Sequence, residues 1–196
     1  NFHTLVKWAE NISFRFNTIS SLDAKEQEKI YNEIAIKIST GEITGLNDIK
    51  KYLKKVYVKQ EDFLLKFSKV EIKRTATIKY ILNKLNQQME GPSLNLNDYT
   101  VEHILSQNRN NDWTTFSEPE DFIWRLGNLT LLEKNTNEDL DNKIFIQKKE
   151  IYQKDINPIT NSLAAFDNWN ETAIDKRQNS LTDFAKIIWR IPELEE

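Results

Sequence analysis

The stretch YTVEHILSQ, residues 99–107, places Glu102 and His103 side by side at the end of a β-prone run. His103 is one of only two histidines among 196 residues. The alternation in LNLNDYTVEHI predicts a short strand that ends near Val101 or Glu102. An acid next to an imidazole at such a place is either incidental surface chemistry or the first half of a metal-assisted active site. The rest of the sequence has to decide between the two.

Composition narrows the class of protein. A hydrophobic content of 39%, with five tryptophans, predicts a folded globular chain. No apolar run is long enough to cross a bilayer, and no secretory signal opens the chain. The absence of cysteine excludes disulfides and cysteine zinc sites and fits a cytoplasmic location. Because the chain begins at Asn1 inside structured sequence, we expect it to be a fragment of a longer protein.

The first half of the chain predicts helices. Only four glycines and four prolines are present, which favours long helices over a turn-rich fold. The apolar spacing predicts one helix over 21–39 with Gly41 after its end, and a second that Asn47 caps. A short third helix is expected at 63–67 and a fourth over 78–89, before Gly91 and Pro92. Residues 1–92 are therefore predicted to form a helical module.

After Pro92 the pattern mixes strands and helices. The segment 117–127 predicts a helix with a capping box, 128–132 a second strand, and 137–153 an amphipathic helix. A last helical stripe contains Ile174, Leu181, Phe184 and Ile188. The predicted fold class is α+β and predominantly helical. Asn128 opens the second strand and Asn137 opens the next helix, so that the helix start is expected beside His103.

The charge of the chain is unevenly distributed. The net charge is −3, but the segment from Lys50 to Lys84 has eleven Lys and Arg against three acids. A local excess of this size attracts phosphate, although a solvated helix surface has the same composition. Lys54, Lys55 and Lys59 are the positions in this segment that we predict to bind DNA.

Glu-His followed by two asparagines on a strand–strand–helix frame resembles the ββα-metal motif of HNH nucleases. More closely, VEHILSQ, LGNLTLLEKNTNEDLDNKIFIQKKEIY and DKRQNSLTDFAKIIW resemble the C-terminal HNH domain of GmrSD-type restriction endonucleases and SspE-like phage-defence proteins. The resemblance implies a nuclease domain over 93–196, with 1–92 as a connector from a ParB-like domain upstream of Asn1.

The resemblance also implies roles for single residues. His103 becomes the general base that deprotonates a water, since a neutral imidazole accepts a proton at neutral pH. Glu102 and Asn137 become oxygen ligands of Mg²⁺ or Mn²⁺. Asn128 is expected to tie the loop to the second strand and to set the ring orientation of His103.

For several other residues more than one role is possible. Asn135 and Asn142 are alternatives to Asn137 as the ligand, and Asn142 is assigned a supporting hydrogen bond. Lys148 and Arg177 are predicted to contact phosphate, with a solvated helix face as the alternative. Ser106 stands where the family pattern has proline, and Asn137 where many HNH enzymes have histidine. Without a cysteine zinc site, packing must hold the domain, and the candidates are Trp113, Phe122, Trp124 and Phe145.

These inferences predict a metal-dependent HNH endonuclease that nicks or cuts DNA during restriction of modified or invading phage DNA. One chain offers one site, so a double-strand break requires a dimer or two encounters. Two other functions stay open. One is a helical module with a degenerate site that binds DNA or a partner, and the other is an HNH toxin that cleaves RNA.

Overall fold

The computed structural model describes residues 2–108, 113, 116–140 and 143–195. They form two compact units. The first unit contains the chain up to Phe67 and the last residues from Ala185, and the second contains Ser68–Phe184. Residue 92, where the sequence predicts a boundary, lies inside the second unit. The prediction of a predominantly helical α+β fold is confirmed.

The helices of the first unit are α1 (Phe2–Ser13), α2 (Ala24–Ser39), α3 (Leu46–Leu53), α4 (Gln60–Phe67) and α11 (Pro192–Glu195). A π-helical segment, Phe14–Ile19, continues α1. Asp23 caps α2 by accepting from the Lys25 amide, and Gly41 after its end has φ +79°, a conformation that glycine adopts without strain. The predicted cap of α3 is wrong: Gly45 is the N-cap, and Asn47 lies inside the helix.

The core of the first unit comes from one face of each helix. Ile30 and Ile34 of α2 are buried as the periodicity predicts, whereas Ile38 on the same stripe is about half exposed, at 48%. Trp8, Ile12, Ile49 and Leu194 belong to the same apolar cluster. A second group of packed rings consists of Phe14, Phe63, Phe67 and Trp189, with Phe14 and Trp189 stacked at 4.2 Å between ring centroids.

The second unit is built on two antiparallel strands. The strands are β1 (Tyr99–His103) and β2 (Leu129–Glu133), paired from Tyr99 with Glu133 to His103 with Leu129. The α-helices of this unit are α5 (Thr75–Gln88), α6 (Glu120–Ile123), α7 (Lys134–Leu140), α8 (Phe145–Tyr152), α9 (Pro158–Asn161) and α10 (Glu171–Ile188), of which the residues from Ala185 belong to the first unit. Helices α5 and α9 pack on β2. Both predicted strands are therefore present.

Two predicted helices are divided in the structure. The helix expected over 117–127 is only the four-residue α6, followed by a 3-10 turn at Leu126–Asn128. Ser117 does not begin it, because its hydroxyl and amide both donate to Glu171. The helix expected over 137–153 is two helices, α7 and α8. Helix α7 follows β2 directly at Lys134, so Asn137 lies in its first turn and does not open it.

Aromatic packing holds the second unit together. Trp113 and Phe145 are buried in one apolar cluster, and Phe122 and Trp124 pack against it. These are the four side chains that the sequence offers in place of a cysteine zinc site. Leu140 and Phe145, on either side of the break between α7 and α8, are both buried in the cluster. Within the described ranges, no helix combines the length and apolar character that crossing a membrane requires.

Candidate active site

An open cavity of about 430 Å³ lies beside β1 in the second unit. Glu102 and His103 line it from the end of the strand, and Asn137 lines it from α7. Both strand residues are still paired with β2, and the strand ends at His103. The structure thus brings three of the four predicted site residues to one cavity, although Asn137 is far from the other two in the sequence.

Glu102 is held by two side chains of α8, neither of which is among the residues that line the cavity. Its Oε1 lies 2.7 Å from Lys148 Nζ and accepts a hydrogen bond of 2.9 Å from the Tyr152 hydroxyl. Lys148 and Tyr152 are one helical turn apart and completely buried. Burial raises the pKa of Glu102, while the charge and hydrogen bond of Lys148 and the hydroxyl of Tyr152 act in the opposite direction. The same cause raises the pKa of Tyr152.

His103 is partly buried and neutral. Burial lowers its pKa to about 4, and the positive charge of Lys148 acts in the same direction. Its Nε2 is buried and has no hydrogen-bond partner among the described residues. The ring meets Trp124 edge to face, with centroids 4.8 Å apart and planes at 89°. An imidazole in this state carries a lone pair at neutral pH and can accept a proton.

Asn137 is fixed by its amide nitrogen. Nδ2 donates to the Thr100 hydroxyl at 2.7 Å and to the Val101 carbonyl at 3.3 Å, both on β1. Its Oδ1 receives no hydrogen bond from the residues that the structure describes. Asn135, the alternative ligand, is exposed on α7, and Asn142, the predicted support, lies outside the described residues.

Asn128 organises the chain around the site. Its side chain is completely buried, and Oδ1 accepts from the Leu105 amide at 2.8 Å and from the Trp169 indole at 3.0 Å. Nδ2 donates to the carbonyls of Leu105 and Ile123. These bonds fix the segment that follows His103. The described contact of the His103 ring is with Trp124, so orientation of that ring by Asn128 stays a prediction.

Lys148 and Arg177 were predicted to contact phosphate, and the structure uses both within the fold. Lys148 bonds Glu102 and the main-chain oxygen of His103. Arg177 is 3% exposed and donates to the carbonyls of Gly127, Leu129 and Ile159. A phosphate would reach either cation only after it had left these partners.

The lysines predicted to bind DNA belong to the first unit. Lys54, Lys55 and Lys59 are exposed, and Lys55 lies 3.8 Å from Glu33. Two of them, Lys54 and Lys59, line a separate cavity of about 550 Å³. Their exposure agrees with a phosphate-binding surface and equally with a solvated one.

Sequence reasoning missed three groups at the site. Lys134 and Glu138 line the cavity from α7, and the Tyr152 hydroxyl donates a hydrogen bond to Glu102. Lys134 and Glu138 lie four residues apart on one helix with Asn137 between them, so the correct start of α7 would have indicated both. The spacing of Lys148 and Tyr152 also places them on one helix face, but nothing in it indicates that this face meets Glu102.

The donor atoms fit a hard divalent cation. Glu102 offers a carboxylate and Asn137 an amide oxygen, the ligand types that Mg²⁺ and Mn²⁺ prefer. Asn137 Oδ1 is also left without a donor by the described residues, as a metal ligand would be. Within the same ranges no three His, Asp or Glu side chains come together. A cation held here would therefore depend on water and phosphate for the rest of its ligands.

Fold and site together define a mostly helical α+β protein with a polar cavity at the end of a two-stranded sheet. The sequence matches the family of GmrSD restriction endonucleases, C-terminal domain, over residues 57–184. The chain belongs to this family, and the resemblance to GmrSD-type proteins is confirmed. Membership points to a function related to restriction endonucleases. No curated protein matches the chain.

Proposed function

We propose that the second unit is a metal-dependent HNH endonuclease that nicks or cuts DNA in the restriction of modified or invading phage DNA. The observation that carries the proposal is the common cavity of Glu102, His103 and Asn137. The family match, which covers this whole unit, supplies the reaction class.

His103 is the general base in this proposal. The ring is neutral at the pH of a cell and can take a proton from an attacking water, and its lowered pKa makes it a weaker base than an ordinary imidazole. Glu102 and Asn137 would hold Mg²⁺ or Mn²⁺, which when bound would stabilise negative charge on the scissile phosphate and the leaving oxygen. Asn128 positions the segment after His103, and Lys134 is a cation in the cavity that a phosphate could reach.

A plasmid-nicking assay tests the proposal. The purified protein is incubated with supercoiled DNA and either Mg²⁺ or Mn²⁺, and conversion to the open circle is followed. We expect His103→Ala to lower the rate by roughly a hundredfold or more, the usual contribution of a general base. His3→Ala removes the other histidine, which is exposed in the first unit, and should leave the rate unchanged.

The remaining outcomes separate the alternatives. Undiminished nicking by His103→Ala would reject the assignment of the base. Faster cleavage of RNA than of DNA in the same assay would favour the RNase toxin. If neither is cleaved and Mn²⁺ does not bind in a Glu102-dependent manner, the degenerate binding module is the better description.

A further inference from the structure

The charge of Glu102 is already matched before any cation binds. Lys148 Nζ lies 2.7 Å from Glu102 Oε1, and the side chains are 0% and 6% exposed. Water and salt screen a buried ammonium group much less than an exposed one, so it repels a cation that approaches the same carboxylate more strongly than a surface lysine would. In other proteins, replacing such a pair by apolar residues is often neutral or stabilising, so a buried ion pair is weak evidence for a role in stability.

The positive and negative charges of the other residues at the cavity are equal in number. Among the described lining residues, Glu138 carries one negative charge and Lys134 one positive charge. Adding Glu102 and Lys148 leaves a net charge of zero. A divalent cation therefore finds oxygen ligands at this place but little excess negative charge to attract it.

We propose that Lys148 is a built-in counter-cation that makes divalent-cation binding at this site depend on DNA. The proposal rests on the proposed function and specifies how that site is regulated. A phosphodiester that enters the cavity brings the negative charge that the protein lacks, and its oxygens complete the ligand set of the cation. The free protein then binds the cation weakly, and the complex with DNA binds it more tightly.

The coupling must be reciprocal. If DNA strengthens cation binding by some factor, the cation strengthens DNA binding by the same factor. The test therefore has two measurements that do not depend on turnover. One is the affinity of Mn²⁺ for the free protein by titration calorimetry, and the other is the affinity of a labelled DNA duplex with and without Mn²⁺ by fluorescence anisotropy. The His103→Ala protein is used throughout, so that the DNA stays intact.

In the His103→Ala protein we expect saturating Mn²⁺ to tighten DNA binding by roughly tenfold, within the usual range of coupling between sites. Adding Lys148→Gln removes the charge and keeps a hydrogen-bond donor for Glu102. It should tighten Mn²⁺ binding to the free protein by roughly tenfold and reduce the effect of Mn²⁺ on DNA binding. Lys149→Gln makes the same change of charge at the neighbouring position, which bonds the Phe166 carbonyl, and should change neither quantity.

Two results would reject the counter-cation proposal, and a third would reject the metal site on which it rests. If Lys148→Gln binds Mn²⁺ no more tightly than Lys149→Gln does, the counter-cation role is rejected. If Lys148→Gln fails to fold, the DNA affinity of the protein that keeps Lys148 still tests the proposal. Equal DNA affinities with and without Mn²⁺ would overturn it. If Mn²⁺ binding is not weakened by Glu102→Gln, with or without DNA, the metal site itself is absent and the proposed function fails first.

Discussion

Lys148 Nζ lies 2.7 Å from Glu102 Oε1 and 3.0 Å from the main-chain oxygen of His103, so one buried ammonium group holds both members of the Glu–His pair. The contact joins α8 to the last two residues of β1. Any movement of α8 would therefore be transmitted to the carboxylate and to the backbone of the proposed base.

We predict that the ion pair is strongly coupled in folding. Glu102→Ala or Lys148→Met alone leaves one buried charge without its partner and should cost about 3 kcal/mol of unfolding free energy. The double variant should lose less than the sum of the two, because no charge is left unpaired. Urea unfolding of the four proteins measures this. Additive losses would show that the pair contributes no coupling.

We predict that His103 makes the stability depend on pH. Its pKa is about 4 in the folded protein against an ordinary value of 6.5, so the unfolded chain binds the proton more readily. The contribution is complete above pH 6.5 and is lost as the pH falls towards 4. Between pH 7.5 and pH 5 the loss should be about 2 kcal/mol.

The variant His103→Gln, which does not titrate, isolates this effect from the carboxylates. Denaturant unfolding at the two pH values should show a smaller loss for His103→Gln than for the wild type, by about the same 2 kcal/mol. The exposed His3→Gln should behave as the wild type. Parallel pH dependences of all three proteins would mean that His103 keeps its ordinary pKa in the fold.

We predict that the hydrogen bonds of Asn128 stabilise the folded protein, in addition to fixing the segment after His103. Asn128→Ala leaves the Leu105 amide and the Trp169 indole without their buried acceptor and should cost about 3 kcal/mol of unfolding free energy. Asn47→Ala, at an exposed position of α3, should change it by less than about 0.5 kcal/mol. Thermal and urea unfolding measure both. Equal stabilities would show that the hydrogen bonds of Asn128 are replaced by water.

We predict that charge reversal at Lys54, Lys55 and Lys59 weakens DNA binding and lowers its salt dependence. Each phosphate contact that is lost reduces the slope of log affinity against log salt by roughly 0.9. The matched control reverses the exposed Lys7, Lys25 and Lys29 of the same unit. Anisotropy titrations over a range of salt give the slopes. If the two triple variants have the same slope, this surface is only a solvated helix face.

The sequence predicts the parts of the site that depend on local pattern. Alternation around Val101 indicates β1, and the short apolar run after Asn128 indicates β2. Since β1 and β2 pair as neighbours, His103 and Asn128 necessarily come close in space. The expectation that Asn137 would lie beside His103 needed only a helix that folds back after β2, and both residues line the same cavity.

The sequence did not predict the contacts of Lys148 and Arg177, because these depend on which helix face packs against which strand. Lys148 looks like a surface lysine until α8 is placed against Glu102, and Arg177 until α10 is placed against the carbonyl of Gly127. Gly127 permits that approach, since a Cβ there would lie 2.4 Å from the Ile174 carbonyl oxygen. The early start of α7 was missed for a simpler reason: no turn separates it from β2.

The edge-to-face contact of His103 with Trp124 has a practical consequence. An imidazolium beside an indole quenches its fluorescence far more than a neutral imidazole does. Light emitted by Trp124 therefore reports the charge of the neighbouring ring. The chain has four other tryptophans, and the difference in emission between the wild type and Trp124→Phe removes their contribution. Proton uptake at this one side chain can then be followed optically in solution, without isotopes, crystals or a substrate.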